Sequence, residues 1–257
     1  MADDGLTCDG FLGGQLRIFQ PAKGYRAGVD PVLLAASVTA RPGDSVLELG
    51  CGVGVAGLCL QSRVGGLDLV GLELQPENAE LARRNASGNG LSMDVVTGDL
   101  SQMPGGLRAR NFDYVIANPP YYLRDSGTAA SGTAREIALG EVLPLSAWVD
   151  AATRRLKPRG VLTMIQRADR LIDMLSACDG RLGDIAVQPL APRIGRAAEL
   201  VLLRARKGAR GPFRLHAPIV LHSGEKHERD GDSYTPEIRG VLRDGMSLPT
   251  GWHAEIG

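Results

Sequence analysis

Ser45-Val46-Leu47-Glu48-Leu49-Gly50-Cys51-Gly52-Val53-Gly54 is the stretch that decides the fold of this chain. Its first five residues form a short, largely apolar run suited to a buried strand. The glycines that follow permit a tight turn, and a helical spacing begins at Val55. A strand that turns through glycines into a helix presents backbone N–H groups to a ligand at the helix start. Gly52-Val53-Gly54-Val55-Ala56-Gly57 also satisfies GxGxxG, the dinucleotide spacing, which is a weak signal when it stands alone.

The same alternation recurs outward from this point. Apolar runs at 45–49, 68–72, 93–97, 112–117, 160–165, 184–187 and 199–204 read as strands, and 55–62, 76–89, 145–156 and 168–177 read as helices. Strands and helices in alternation predict an α/β fold: a doubly wound, mainly parallel seven-stranded sheet with helices on both faces. A short apolar helix is expected at 31–40 and a further strand at 213–221, followed by a polar tail. The expected organisation is one domain over residues 1–257, with an N-terminal extension (1–44) and a basic C-terminal extension (206–257).

Composition narrows the class. With 257 residues and 44% apolar content the chain can bury a sizeable core. No apolar run approaches the length of a membrane span, and the opening Met1-Ala2-Asp3-Asp4 is unlike a secretory signal, so a soluble cytoplasmic protein is expected. Cys8, Cys51, Cys59 and Cys178 lie far apart with no CxxC pair, and His222 and His227 have no companion ligands in the sequence. Neither a metal site nor a disulfide framework is suggested. The formal charge is zero, yet residues 1–150 carry a net −6 and residues 151–257 a net +6. The densest basic stretch, 204–214, has five cations and no carboxylate, which suits phosphate contacts or equally a solvated loop.

Strand ends carry the candidate site. Glu73 ends the second sheet strand, 19 residues past Gly54, where an acid binds ribose hydroxyls in either a dinucleotide or a nucleoside site. Leu74 follows it. Gly98-Asp99-Leu100 ends the third strand, where a carboxylate and a backbone N–H can meet an adenine edge; a helix or turn cap is the alternative for Asp99. Asn118-Pro119-Pro120-Tyr121 follows the apolar run 112–117. The Asn118 side-chain oxygen and the Pro119 carbonyl both accept hydrogen bonds, and neither proline has an N–H to compete. Such a socket takes a planar NH2 group, with Tyr121 stacking on the ring that bears it; Tyr122 serves either that role or the core. A plain turn is the alternative reading of the tetrapeptide. The loop at 124–141, rich in Gly, Ser, Thr and Ala, is expected to act as a lid or substrate loop.

The run 48–54, Glu73, Gly98-Asp99-Leu100 and the Asn-Pro-Pro-Tyr tetrapeptide together resemble the class I S-adenosylmethionine-dependent methyltransferases of the N6-adenine and N5-glutamine type. Residues 24–34, Arg135-Glu136-Ile137-Ala138 and Tyr234-Thr235-Pro236-Glu237 are similar to motifs of the bacterial tRNA1(Val) adenine-37 N6-methyltransferases within that group. The resemblance implies S-adenosyl-L-methionine as cofactor and tRNA as partner. It places Gly50 and Gly52 at the methionine part, Glu73 at the ribose, Asp99 and Leu100 at the adenine, and Arg26 or Asp30 at the amino acid end, with Glu48, Cys51, Gly54, Leu74 and Asn118 as further cofactor-binding residues. Asn118, Pro119, Pro120 and Tyr121 would be the catalytic group. A protein glutamine amide and the N2 of guanine also present an NH2 group to such a socket. A nicotinamide-dependent oxidoreductase would account for the glycines and Glu73 but leave the tetrapeptide idle.

Overall fold

The continuous apolar runs form the centre of a sheet in the computed structural model, which describes residues 5–24, 26–121, 143–178, 180–224 and 233–253. In chain order the elements are β1 (Leu6–Phe11), β2 (Leu16–Pro21), α1 (Asp30–Ser37), β3 (Ser45–Leu49), α2 (Val55–Val64), β4 (Asp68–Glu73), α3 (Pro76–Gly88), β5 (Asp94–Thr97), α4 (Gly105–Arg108), β6 (Phe112–Ala117), α5 (Leu145–Arg155), β7 (Leu156–Arg167), α6 (Leu171–Ala177), β8 (Leu182–Ala191), β9 (Leu200–Lys207), β10 (Arg214–Leu215), β11 (Ile219–Val220) and α7 (Pro236–Asp244). Tyr25, Tyr122, the loop expected at 124–141 with its segment 135–138, and His227 lie outside the described residues.

The sheet order is β10-β8-β9-β7-β6-β3-β4-β5, with β11 also on β8. Every pairing is parallel except those of β9, which runs antiparallel to both β7 and β8. Seven of these strands are the ones expected from the sequence. The stretch expected as an eighth is split into two-residue strands β10 and β11, because Pro218, which has no N–H to give, stands between them. All five residues of β3 are buried, as a strand covered on both faces requires. One apolar cluster unites α1, α2 and the C-terminal segment on one face, and a second unites α5 and α6 on the other. Among the described residues, no helix is long and apolar enough to cross a membrane.

The N-terminal residues add an antiparallel hairpin, β1–β2, that the sequence reading did not contain. Its open edge is closed by two asparagines of α3. Asn85 accepts from Phe19 N (2.8 Å) and donates to Phe19 O (3.0 Å), and Asn89 does the same with Arg17 N and O (both 2.9 Å). The geometry matches, since four helical residues rise about 6 Å and two strand residues about 6.6 Å. Asn85 also donates to Val53 O at 3.0 Å, so one buried amide joins the hairpin, the helix and the glycine turn. Arg84 lies over the Phe19 ring, 3.9 Å from its centroid.

The tail beyond β11 is not simply polar. Thr235 caps α7 by accepting from Ile238 N, and Pro236 begins the helix. Ile238, Val241, Leu248 and Trp252 enter the core, and the Trp252 indole donates to Ser37 O at 2.9 Å. The basic stretch 204–214 stands at the other end of the sheet from the candidate site. Arg206 pairs with Val161, five residues before Gln166 on β7, which is about 16 Å down the strand. Four of its five cations are engaged locally: Arg204, Arg206 and Arg214 surround the Asp184 carboxylate at 3.9, 3.6 and 2.8 Å, and Lys207 donates to Leu156 O, while Arg210 is exposed.

Asn85→Ala removes one side of three backbone contacts. Chemical denaturation is expected to show a loss of about 2–4 kcal/mol, and hydrogen exchange a loss of protection at Phe19.

Candidate active site

Register brings the candidate residues level. Leu49 pairs with Ala117 on one side and Leu72 on the other, and Glu73 pairs with Thr97. Asn118, Gly50, Glu73 and Asp99 therefore cap four adjacent parallel strands, spread over about 14 Å at one strand spacing each. This is the carboxyl edge, where open α/β sheets bind ligands.

The chain leaves β3 through Gly50 and Gly52 at φ +64° and +54°. A side chain at Gly50 is excluded twice, because a Cβ there would stand 2.6 Å from the Trp148 ring of α5. Gly52 has open space where a Cβ would be, while its N–H turns inward to Glu73. The Glu73 carboxylate accepts from Gly52 N (2.8 Å) and Gln75 N (2.9 Å), one bond to each oxygen. Each oxygen keeps further acceptor capacity, which vicinal hydroxyls can use. Leu74 is 46% exposed beside it, an apolar side chain open to a ligand. Asp99 caps the short turn at Leu100–Gln102, accepting from Ser101 N with Oδ1.

Three residues expected at the cofactor have side chains engaged with the protein itself. Glu48 is 3% exposed and accepts from Gly57 N at 2.8 Å, so its carboxyl braces α2 against β3 beneath the turn. Burial, opposed by the Gly57 N–H and helped by the nearby Glu73, pushes this carboxyl up to about 8. The Cys51 side chain is buried against Gly71, and only its backbone belongs to the loop, donating to Leu72 O. Burial raises its thiol well above the usual range. Arg26 makes a two-pronged pair with Asp9 of β1 at 2.8 Å, which occupies the guanidinium on the hairpin. Asp9 lies 17 residues away, so no local spacing announced it.

Asp30, at the start of α1, accepts from the Tyr121 hydroxyl and so joins the upstream motif to the tetrapeptide. Pro119 is buried, Pro120 exposed, and Asn118 and Tyr121 half-buried. Two residues absent from the sequence reading complete the wall: Trp148 against Gly50, and Gln166 at the end of β7, which donates to the Pro119 carbonyl. The open face at Gly52, the free acceptor capacity of Glu73 and the neighbouring Asn118 fit S-adenosylmethionine laid across the strand ends.

Gly50→Ala is expected to abolish measurable S-adenosylhomocysteine binding by calorimetry and to cost about 2–4 kcal/mol, from combined backbone strain and overpacking. Glu48→Gln keeps an acceptor for Gly57. Because the folded carboxyl titrates above its ordinary 4.5, its contribution is full below that value and lost as pH rises through about 8. Denaturation midpoints should show wild type losing stability relative to Glu48→Gln across that window.

Residues 27–177 match the family model Methyltransferase small domain. The tRNA1(Val) (adenine(37)-N6)-methyltransferase of Porphyromonas gingivalis is 33% identical over 178 residues, 66% of this chain and 69% of that protein. The enzyme of the same name from Dickeya chrysanthemi is 28% identical over 245 residues, 93% of this chain and 94% of its own. Among solved structures, a predicted O-methyltransferase of Agrobacterium tumefaciens superposes with a TM-score of 0.67 at 26% identity, covering 85% of this chain and 97% of the other. The chain belongs to the methyltransferase small domain family and is an S-adenosylmethionine-dependent methyltransferase.

Proposed function

We propose that this enzyme methylates the exocyclic N6 of an adenine in tRNA. The observation that carries the reading is the pair of acceptors at Asn118 and Pro119, level with the glycine turn on the adjoining strand. An NH2 group brings two hydrogens to these two acceptors; a hydroxyl brings one, so the socket favours nitrogen over oxygen as the nucleophile. The names of the Porphyromonas and Dickeya relatives, which span most of their own length, support adenine in tRNA as the acceptor.

Bound at the strand ends, the cofactor supplies an electrophilic methyl carbon on a sulfonium. The protein's part is alignment. Asn118 Oδ1 and Pro119 O hold the two N–H groups so that the nitrogen, whose lone pair is otherwise conjugated with the ring, turns that pair toward the methyl carbon. Neither group is a base near neutral pH; the nitrogen, cationic once it carries the methyl group, releases one of its hydrogens as a proton to water, and positioning and fixed dipoles supply the rate. Tyr121, anchored through its hydroxyl on Asp30, lays its ring against the base, a contact worth about 1–3 kcal/mol. The adenine must leave its stack to enter.

Incubation with methyl-labelled S-adenosylmethionine is expected to label unmodified total tRNA and leave the protein fraction unlabelled; label in a protein band and none in tRNA contradicts the proposal. Asn118→Ala is expected to lower kcat by about 100-fold or more with S-adenosylhomocysteine affinity within about threefold of wild type. An equal loss in both assigns Asn118 to cofactor binding instead.

A further inference from the structure

Gln166 is fully buried, an amide that follows the apolar pair Met164 and Ile165 on β7. Burying an amide costs free energy unless its donors and acceptors are met. Two contacts engage one end each. Oε1 accepts from Arg167 N at 2.9 Å, and Nε2 donates to Pro119 O at 3.3 Å. The first contact fixes which end of the amide is oxygen, and the second then follows with the donor facing a carbonyl. The placement is a consequence of register, since Ala117 pairs with Met164 and residues 119 and 166 are each two further along.

The partner of this bond matters because of the two prolines. The ring of Pro119 fixes its φ, the ring of Pro120 fixes the next φ, and the peptide between them is planar. The direction of the Pro119 carbonyl therefore depends on one soft torsion, ψ of Pro119. A turn of 30° about that bond moves the oxygen by about 0.5 Å, given a C=O length of about 1.23 Å. Displacements on that scale are costly when the oxygen must meet a reacting amino group. A carbonyl has two lone pairs, so Gln166 can occupy one while the other faces the acceptor nitrogen.

From this geometry we infer that Gln166 is a positioning residue for methyl transfer: it sets the Pro119 carbonyl so that its remaining lone pair receives the substrate N–H. The inference rests on the reading of Asn118 and Pro119 as the acceptor socket. Gln166 touches no reacting atom and acts through Pro119, so its loss should lower turnover while leaving cofactor affinity intact. A role confined to core packing would lower stability and cofactor affinity together.

Two full-length variants separate these roles. Gln166→Leu fills similar volume and cannot donate. Gln166→Glu donates to Pro119 only while its carboxyl is protonated. Measured are kcat on tRNA across pH 5.5–9, S-adenosylhomocysteine affinity and thermal midpoint. Expected is a kcat about 10- to 100-fold below wild type for Gln166→Leu at every pH, with affinity within about threefold. Gln166→Glu should approach wild type at the acid end and fall to the Gln166→Leu level at the alkaline end. Wild-type kcat in Gln166→Leu, matched losses of kcat and affinity, or a Gln166→Glu that tracks Gln166→Leu at every pH would overturn the inference. A wild-type enzyme that labels no tRNA refutes the substrate reading before any variant is compared, so the two failures are distinguishable.

Discussion

The Glu73 carboxylate is the interaction on which the rest of the site depends. By accepting from Gly52 N and Gln75 N it ties the turn after β3 to the end of β4. That tie holds a backbone path open only to glycine, with left-handed φ at Gly50 and Gly52 and the Trp148 ring pressed against the first of them. The turn is reinforced from beneath by Glu48 on Gly57 and from the side by Asn85 on Val53. A ligand that lies over Gly52 therefore meets a surface whose polar groups are already oriented, and little ordering is left to be done on binding.

The two halves of the chemistry are separated along the sheet. In the proposed reaction, cofactor groups cap β3, β4 and β5, and acceptor groups cap β6 with support from β7. Neighbouring strands differ by about 4.8 Å, so methyl donor and nitrogen acceptor are brought together by sheet order alone. The acceptor side is held from both flanks: Asp30 of α1 takes the Tyr121 hydroxyl and Gln166 of β7 takes the Pro119 carbonyl. Neither flank is a general acid or base in the step, which is consistent with catalysis by alignment.

Much of this was legible in the sequence, for physical reasons that differ by element. β3 and β6 match their expected bounds because buried parallel strands read as unbroken apolar runs, and glycine and Asn-Pro mark where they stop. The β1–β2 hairpin was not legible, since its edge is satisfied by Asn85 and Asn89, more than 60 residues away. Arg26 was read toward the cofactor because its partner Asp9 lies outside any local pattern. Glu48 sits in the fingerprint by spacing, while its environment, enclosed and facing Gly57, is a property of packing. Gln166 shows no spacing at all: it is one of several polar residues on β7, and its meaning appears only when β7 is laid beside β6 in register.

The central claim is that the Asn118–Pro119 pair selects a planar amino group on adenine. Nucleoside analysis by mass spectrometry of unmodified tRNA, digested after treatment with the enzyme and S-adenosylmethionine, tests it most directly. N6-methyladenosine is expected as the new nucleoside, its rate of formation lowered by about 100-fold or more when Asn118→Ala replaces wild type. A ribose O-methylated or ring-nitrogen-methylated nucleoside in its place would contradict it.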